Sequence, residues 1–258
     1  MLANAERDRL LALPELNDSL RLEGHGFKGY SQNDEDGIIQ EIFRRIGTDK
    51  KTFVEFGTEN GTQNNTVYLL HQGWKGLWLD GSQQHIDDQK RLFQWATENG
   101  QLTSVCSFLT LENINSVIGE NGFQGDIDLL SIDIDGNDYH LWKAIDVVSP
   151  RVVVIEYNAY VPPPVEWIMP YQEDYVWDGI STYFNSSLAS LAKLGISKGY
   201  SLVGCNITGL NAFFVRSDLV DGKFCADQDP RTLFHPRRYW LDSCFDVAAV
   251  PFDQPFIR

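Results

Sequence analysis

Thr52-Phe-Val-Glu-Phe-Gly-Thr-Glu-Asn-Gly-Thr62 is the stretch on which the fold turns. Residues 52–56 are mostly apolar and β-favouring, and they run into a loop holding Gly57 and Gly61, after which the pattern predicts a helix from about Thr62. A strand, a glycine loop and a helix start in that order set backbone N–H groups where a ligand anion can dock. The stretch departs from the GxGxxG of dinucleotide binders, because the middle glycine is missing and Glu55 and Glu59 flank the turn. A pyrophosphate would be repelled there, whereas a sulfonium or an ammonium would be attracted. A purely structural turn is the competing reading.

Working outward, the same rhythm repeats. Short β-rich runs fall at Gly76–Leu79, Leu102–Val105, Asp128–Ile132 and Arg151–Ile155, separated by helical periodicity or turn residues. Strand and helix alternating in this way imply parallel pairing through right-handed crossovers, hence an open three-layer α/β sheet. Upstream, Glu35–Ile46 carries Ile38, Ile39, Ile42, Phe43 and Ile46 on one helical face. Downstream, residues 157–183 hold Val161-Pro-Pro-Pro164, Pro170 and many Trp and Tyr side chains, which predicts an irregular loop over a cleft. A helix is expected at Asn185–Leu194, capped by Asn185 or Ser186. Tyr200–Cys205 and Asn211–Arg216 read as a hairpin turned at Ile207-Thr-Gly-Leu210. The division expected is an N-terminal helical extension, 1–50, a main domain, 51–220, with a lid or acceptor loop at 157–183, and a C-terminal tail, 221–258, packed on that domain.

Composition narrows the function. With 43% hydrophobic residues in 258, the chain supports a substantial core and is neither disordered nor a disulfide-stapled module. A formal net charge of -15 disfavours nucleic acid and anionic membrane surfaces as partners, and no apolar run approaches the ~20 residues of a membrane span. The charged N-terminus lacks a secretory apolar core, and Cys106, Cys205, Cys225 and Cys244 are dispersed, so free thiols in the cytoplasm are expected. The partner expected is a small-molecule acceptor, and the sequence is compatible with a homodimer.

Two further motifs carry chemistry. Gly73-Trp-Lys-Gly-Leu-Trp-Leu-Asp80-Gly-Ser82 ends a strand in an acid, and a carboxylate there can accept bonds from both ribose hydroxyls or simply cap a helix. With the glycine loop it points to an adenosine-containing ligand. Leu130-Ser-Ile-Asp-Ile-Asp-Gly-Asn-Asp-Tyr139 runs from a strand into Asp133, Asp135 and Asp138, with His140 close behind, and the next strand ends in Glu156 and Asn158. Oxygen-rich clusters suit Mg²⁺ or Ca²⁺, so Asp133, Asp135, Glu156 and Asn158 are candidate metal ligands. A glycine-containing turn with a helix cap and no ion is the alternative.

These motifs, together with Tyr30-Ser-Gln-Asn-Asp-Glu-Asp-Gly37, Gly199-Tyr-Ser-Leu-Val-Gly-Cys-Asn206 and Asn211-Ala-Phe-Phe-Val-Arg216, resemble the FkbM-type family of S-adenosylmethionine-dependent methyltransferases in order over about residues 30–220. The resemblance implies the class I methyltransferase fold, a Rossmann-like three-layer sandwich on a seven-stranded, mostly parallel sheet with one antiparallel strand. It implies S-adenosyl-L-methionine as cofactor, with Glu55, Gly57, Glu59, Asn60 and Gly61 around the methionine part, Asp80, Gly81 and Ser82 at the ribose, Ser107 at the adenine, and Gln32 and Asp133 also within reach. Relatives of this kind methylate hydroxyls of sugars and natural products, some with a divalent ion. His140 and Asp133 are the candidate catalytic groups, His140 as base and Asp133 through a divalent ion held with Glu156 as activator. Two competing readings are a metal-dependent glycosyltransferase gripping a nucleotide sugar through Asp133 and Asp135, and a non-catalytic cofactor-binding member.

Overall fold

In a computed structural model the structure describes residues 2–244. Seven strands form one sheet: β1 (Thr52–Phe56), β2 (Lys75–Asp80), β3 (Leu102–Cys106), β4 (Gly125–Ile132), β5 (Val148–Glu156), β6 (Tyr200–Cys205) and β7 (Asn211–Arg216). Their order is β3-β2-β1-β4-β5-β7-β6, with β7 antiparallel to both neighbours and the other pairings parallel. The hairpin and the five parallel strands fall where the sequence pattern places them, most of them lengthened by a residue or more.

The alternation of side chains along each strand builds two cores. Val54, Leu77, Leu130, Val153 and Phe214 share one face of the sheet, whereas Phe53, Trp78, Leu129, Val152 and Phe213 share the other. The first face is covered by α6 (Ile114–Glu120), α7 (Asp138–Ala144) and α8 (Leu188–Ser197), and the second by α2 (Glu35–Ile46), α3 (Val67–His71), α4 (Gln83–Leu92) and α5 (Gln94–Glu98). The isoleucine stripe of α2 is wholly buried, so this helix is one of the layers of the sandwich and joins the N-terminal segment to it. The first helix, α1 (Leu2–Leu11), sits apart in a small cluster with Ile207 and Leu241.

Two helix starts differ from the sequence expectation. The helix after β1 begins at Val67, because residues 57–66 are held as a loop by Glu55, which accepts hydrogen bonds from Asn65 N at 2.9 Å and from the Thr66 hydroxyl. The cap of α8 is Ser187, whose hydroxyl accepts from Ser190 N; Asn185 is drawn away to donate to Glu156. The tail expected at 221–258 is described only as far as residue 244, and its remainder lies outside the described residues.

Candidate functional site

The five parallel strands end along one edge of the sheet, and the chain changes direction between β1 and β4, which is where open α/β sheets leave a crevice. A cavity of about 720 Å³ occupies it. Gly57 makes the crevice tight: a Cβ there would lie 1.6 Å from the Asp133 carbonyl oxygen, and its φ of +67° is one that glycine adopts freely. The ends of β1 and β4 therefore approach as closely as backbones can.

At one end of the cavity Asp80 terminates β2 and organises the loop facing it. One carboxylate oxygen accepts from Glu59 N at 2.7 Å, and the other accepts from Ser82 N at 2.8 Å and meets His85 Nδ1 at 2.9 Å. Gln32, Gly57, Glu59, Asn60, Gly81, Ser82 and Ser107 complete that wall, each a residue the sequence singles out. Phe108 stands beside Gly81 and is 47% exposed, and its ring is a flat apolar surface for a planar base. Asn64 also lines the cavity, and its side-chain N–H₂ is buried without a protein partner, a donor that a bound acceptor atom would satisfy. The wall therefore fits an adenosine-bearing cofactor.

Two residues expected beside the cofactor have other work. Glu55 is buried beneath the loop, bonded to Asn65, Thr66 and Ser131, and burial pushes its carboxyl up to about 7 against those bonds. Gly61 leaves room for rings: a Cβ would meet Phe93 at 2.6 Å and Trp78 at 2.7 Å. Neither lines the cavity.

At the other end, Asp133, Asp135 and Glu156 bring one carboxylate oxygen each to within 4.8 Å of one another. An extended strand would put Asp133 and Asp135 on one face, but β4 ends at Ile132 and Asp135 takes a φ of +58°, so it is the turn after the strand that sets where the two carboxylates point. The turn weighed as the alternative is present as well, since Asp138 accepts from Gly136 N at 2.9 Å and from Ile134 N at 3.1 Å. Turn and cluster thus coexist. Burial first, and then repulsion by neighbouring carboxylates, pushes Asp133, Asp135 and Glu156 above the usual carboxylate range. An all-oxygen donor set that resists ionising alone fits a hard divalent cation.

Asn158 is not part of that set. It donates to the carbonyls of Thr182 and Phe184, both at 2.9 Å, and its oxygen accepts from Tyr160 N, which pins both ends of the aromatic loop. His140 lies off the cavity as well: its Nε2 donates to the Met169 carbonyl at 2.7 Å and its ring packs edge-on against Tyr139 and Tyr171. The aromatic loop itself reaches the cavity through Tyr160, Tyr175 and Trp177. Asn64, His85, Phe108 and Arg237 are lining residues that the sequence motifs did not mark; Phe108 alone had a signal, as the neighbour of Ser107.

Sheet order, the single reversed strand and the crevice at the β1–β4 switch define the class I methyltransferase, Rossmann-like fold. No family model and no curated protein matches the chain. Among solved structures, one titled a putative caffeoyl-CoA O-methyltransferase from Staphylococcus aureus aligns with a TM-score of 0.50 at 14% identity, over 84% of this chain and 100% of that one. An O-methyltransferase from Bacillus cereus in complex with SAH gives 0.45 at 17% identity, over 83% and 89%, and the methyltransferase domain of bacterial CtHen1 gives 0.47 at 13%, over 71% and 97%. At these identities the likeness is one of fold.

Proposed function

We propose that the chain is an S-adenosylmethionine-dependent methyltransferase that methylates a hydroxyl of a small molecule such as a sugar or natural product, with a divalent cation held by Asp133, Asp135 and Glu156. The observation that carries this reading is that one cavity joins the Asp80 wall to the acid cluster, so a cofactor and an acceptor would meet inside it. S-adenosylmethionine, when bound, supplies an electrophilic methyl group, and a cation in the cluster supplies charge that favours an ionised acceptor oxygen.

The chain's own residues hold and orient. Asp80 keeps the 57–60 loop in place through Glu59 N and retains lone-pair capacity for ribose hydroxyls. Glu59, exposed at the cavity wall, offers negative charge to a sulfonium or an ammonium. Asp133, Asp135 and Glu156, which burial and mutual repulsion keep from ionising together on their own, would be held ionised by the cation and would fix it beside the acceptor. Alignment of the acceptor oxygen with the methyl group accounts for much of the rate, and the aromatic loop excludes water from that path.

The test is transfer of a labelled methyl group from S-adenosylmethionine to a panel of hydroxylated sugars and phenols, with Mg²⁺ or with EDTA. Transfer to at least one acceptor, lowered at least a hundredfold in Asp133→Asn, is the expected result. Absence of transfer across the panel, with intact folding, contradicts the proposal.

A further inference from the structure

The aromatic loop is fastened to the same elements that carry the acid cluster. On one side is the turn after β4, which bears Asp133 and Asp135. Asn137 is buried in that turn; its Nδ2 donates to the Gln172 carbonyl at 2.7 Å and its oxygen accepts from Gln172 N at 3.4 Å. One residue earlier, Gly136 lets the loop lie against the turn, since a Cβ there would meet the Tyr175 ring at 2.4 Å. On the other side, Asn185 donates from its side chain to Glu156, and its carbonyl accepts from Met169 N at 3.1 Å. Asn185 holds a φ of +52°, as Asp135 holds +58°, and residues other than glycine keep that conformation where their surroundings fix it.

The outer part of the loop has little else to hold it. No residue from 171 to 183 is buried, and Val176 and Ile180 are 76% and 88% exposed. Tyr175, Trp177 and Asp178 spend their side-chain bonds within the loop, on Tyr183, on Ser181, and on Ile180 and Ser181. Its bonds to the rest of the fold run to Asn137, to Asn158 and from Leu111 N to the Tyr171 hydroxyl at 3.4 Å. A stretch with so few buried apolar contacts opens at low cost. Yet Tyr175, Val176 and Trp177 line the same cavity as Asp133, Asp135 and Glu156, so in its closed position the loop forms part of the wall around the acids.

We propose that the aromatic loop is a lid locked by the divalent cation, with Gly136, Asn137 and Asn185 as the residues that couple the two. The inference rests on the reading of Asp133, Asp135 and Glu156 as a cation site. Without a cation the three carboxylates, with oxygens within 4.8 Å of one another, repel, and movement of the turn that relieves the repulsion also pulls on the Asn137 and Tyr175 contacts. A cation favours the converged carboxylates, which is the arrangement that the closed loop supports. A ligand that binds one of two arrangements better shifts the population toward it, and closure of the loop raises the cation's affinity by the same factor.

The test is chymotrypsin digestion of the full chain with Mn²⁺ or with EDTA, the cuts located by mass spectrometry, beside calorimetric titration of Mn²⁺. Cleavage of a short peptide controls for the protease, and cuts outside residues 171–183 report global unfolding. In wild type, Mn²⁺ is expected to slow cutting within 171–183 by about fivefold or more, the low end of ordinary coupling between two sites. In Asp135→Asn the cutting rate should no longer depend on Mn²⁺. Gly136→Ala adds one methyl group beneath the Tyr175 ring and Asn137→Ala removes the bonds to Gln172; neither takes away a carboxylate. Both should be cut faster within 171–183 and bind Mn²⁺ about fivefold or more weakly. Equal cutting of wild type with Mn²⁺ and with EDTA, although Mn²⁺ binds, overturns the inference. So does faster cutting in either variant with Mn²⁺ affinity unchanged, and so does cutting at the wild-type rate in both. Failure of the wild type to bind Mn²⁺ overturns the cation site itself, so the two failures are distinct.

Discussion

Single residues at this crevice divide into those that face it and those that shape it. His140 belongs to neither group, because its Nε2 is committed to the Met169 carbonyl. His140→Ala is therefore expected to keep turnover within about threefold of wild type in the methyl-transfer assay, and a hundredfold loss would return it to the mechanism. Glu55 shapes the site from beneath. Its carboxyl, held up at about 7 by burial, titrates from near 4.5 in the unfolded chain. A raised acid contributes its full stability below the unfolded value and loses it as pH rises through the folded one, so Glu55 lowers stability progressively between pH 4.5 and 7. In urea titrations across that range, Glu55→Gln, which mimics the neutral acid, should flatten the decline relative to wild type; an unchanged slope would mean that Glu55 is ionised in the fold. Reading Glu55 from sequence as a cofactor neighbour was natural, since its strand ends there. What hid its role were partners at Asn65 and Ser131, which only the folded chain brings together.

At the level of elements, the strands were legible because side chains alternate between two buried faces, and the α2 stripe was legible because five apolar residues recur at helical spacing. The starts of α3 and α8 were not, since both are set by side chains that answer to distant partners: Thr66 to Glu55, and Asn185 to Glu156. The aromatic loop between β5 and α8 was legible as irregular from its prolines, but its anchor was misread. Asn158 ties the loop's start to Thr182 and Phe184 near its end, so a residue that looked like a metal ligand serves as a clasp. Asn158→Ala removes three buried or half-buried hydrogen bonds at a cost of about 3 kcal/mol, and the loop beyond it should open to protease. Limited proteolysis should cut within residues 171–183 faster in the variant than in wild type, and equal rates would show that packing alone holds the loop.

Across the whole molecule, the sheet supplies rigidity and its carboxyl edge supplies chemistry. Two cores of opposite facing fix β1 to β5, and the crevice between β1 and β4 inherits their precision. Several of the acids gather there, and burial and mutual repulsion push Asp133 and Glu156 above the usual carboxylate range. No helix among the described residues is long and apolar enough to cross a membrane. Cys106, Cys205 and Cys225 are free thiols, while the side chain of Cys244 lies outside the described set. The acid cluster was foreseeable from Asp133 and Asp135 in sequence, but the joining of the Asp80 wall, that cluster and Arg237 in one cavity depended on the C-terminal segment docking on the Gly209 turn, which no local pattern announces. The central claim is that this edge holds S-adenosylmethionine through Asp80. Calorimetric titration of S-adenosylhomocysteine into wild type and Asp80→Ala, with a uridine diphosphate sugar and Mn²⁺ titrated alongside, tests it most directly. Micromolar binding that weakens at least tenfold in Asp80→Ala is predicted, and no binding of S-adenosylhomocysteine together with uptake of the nucleotide sugar would contradict it.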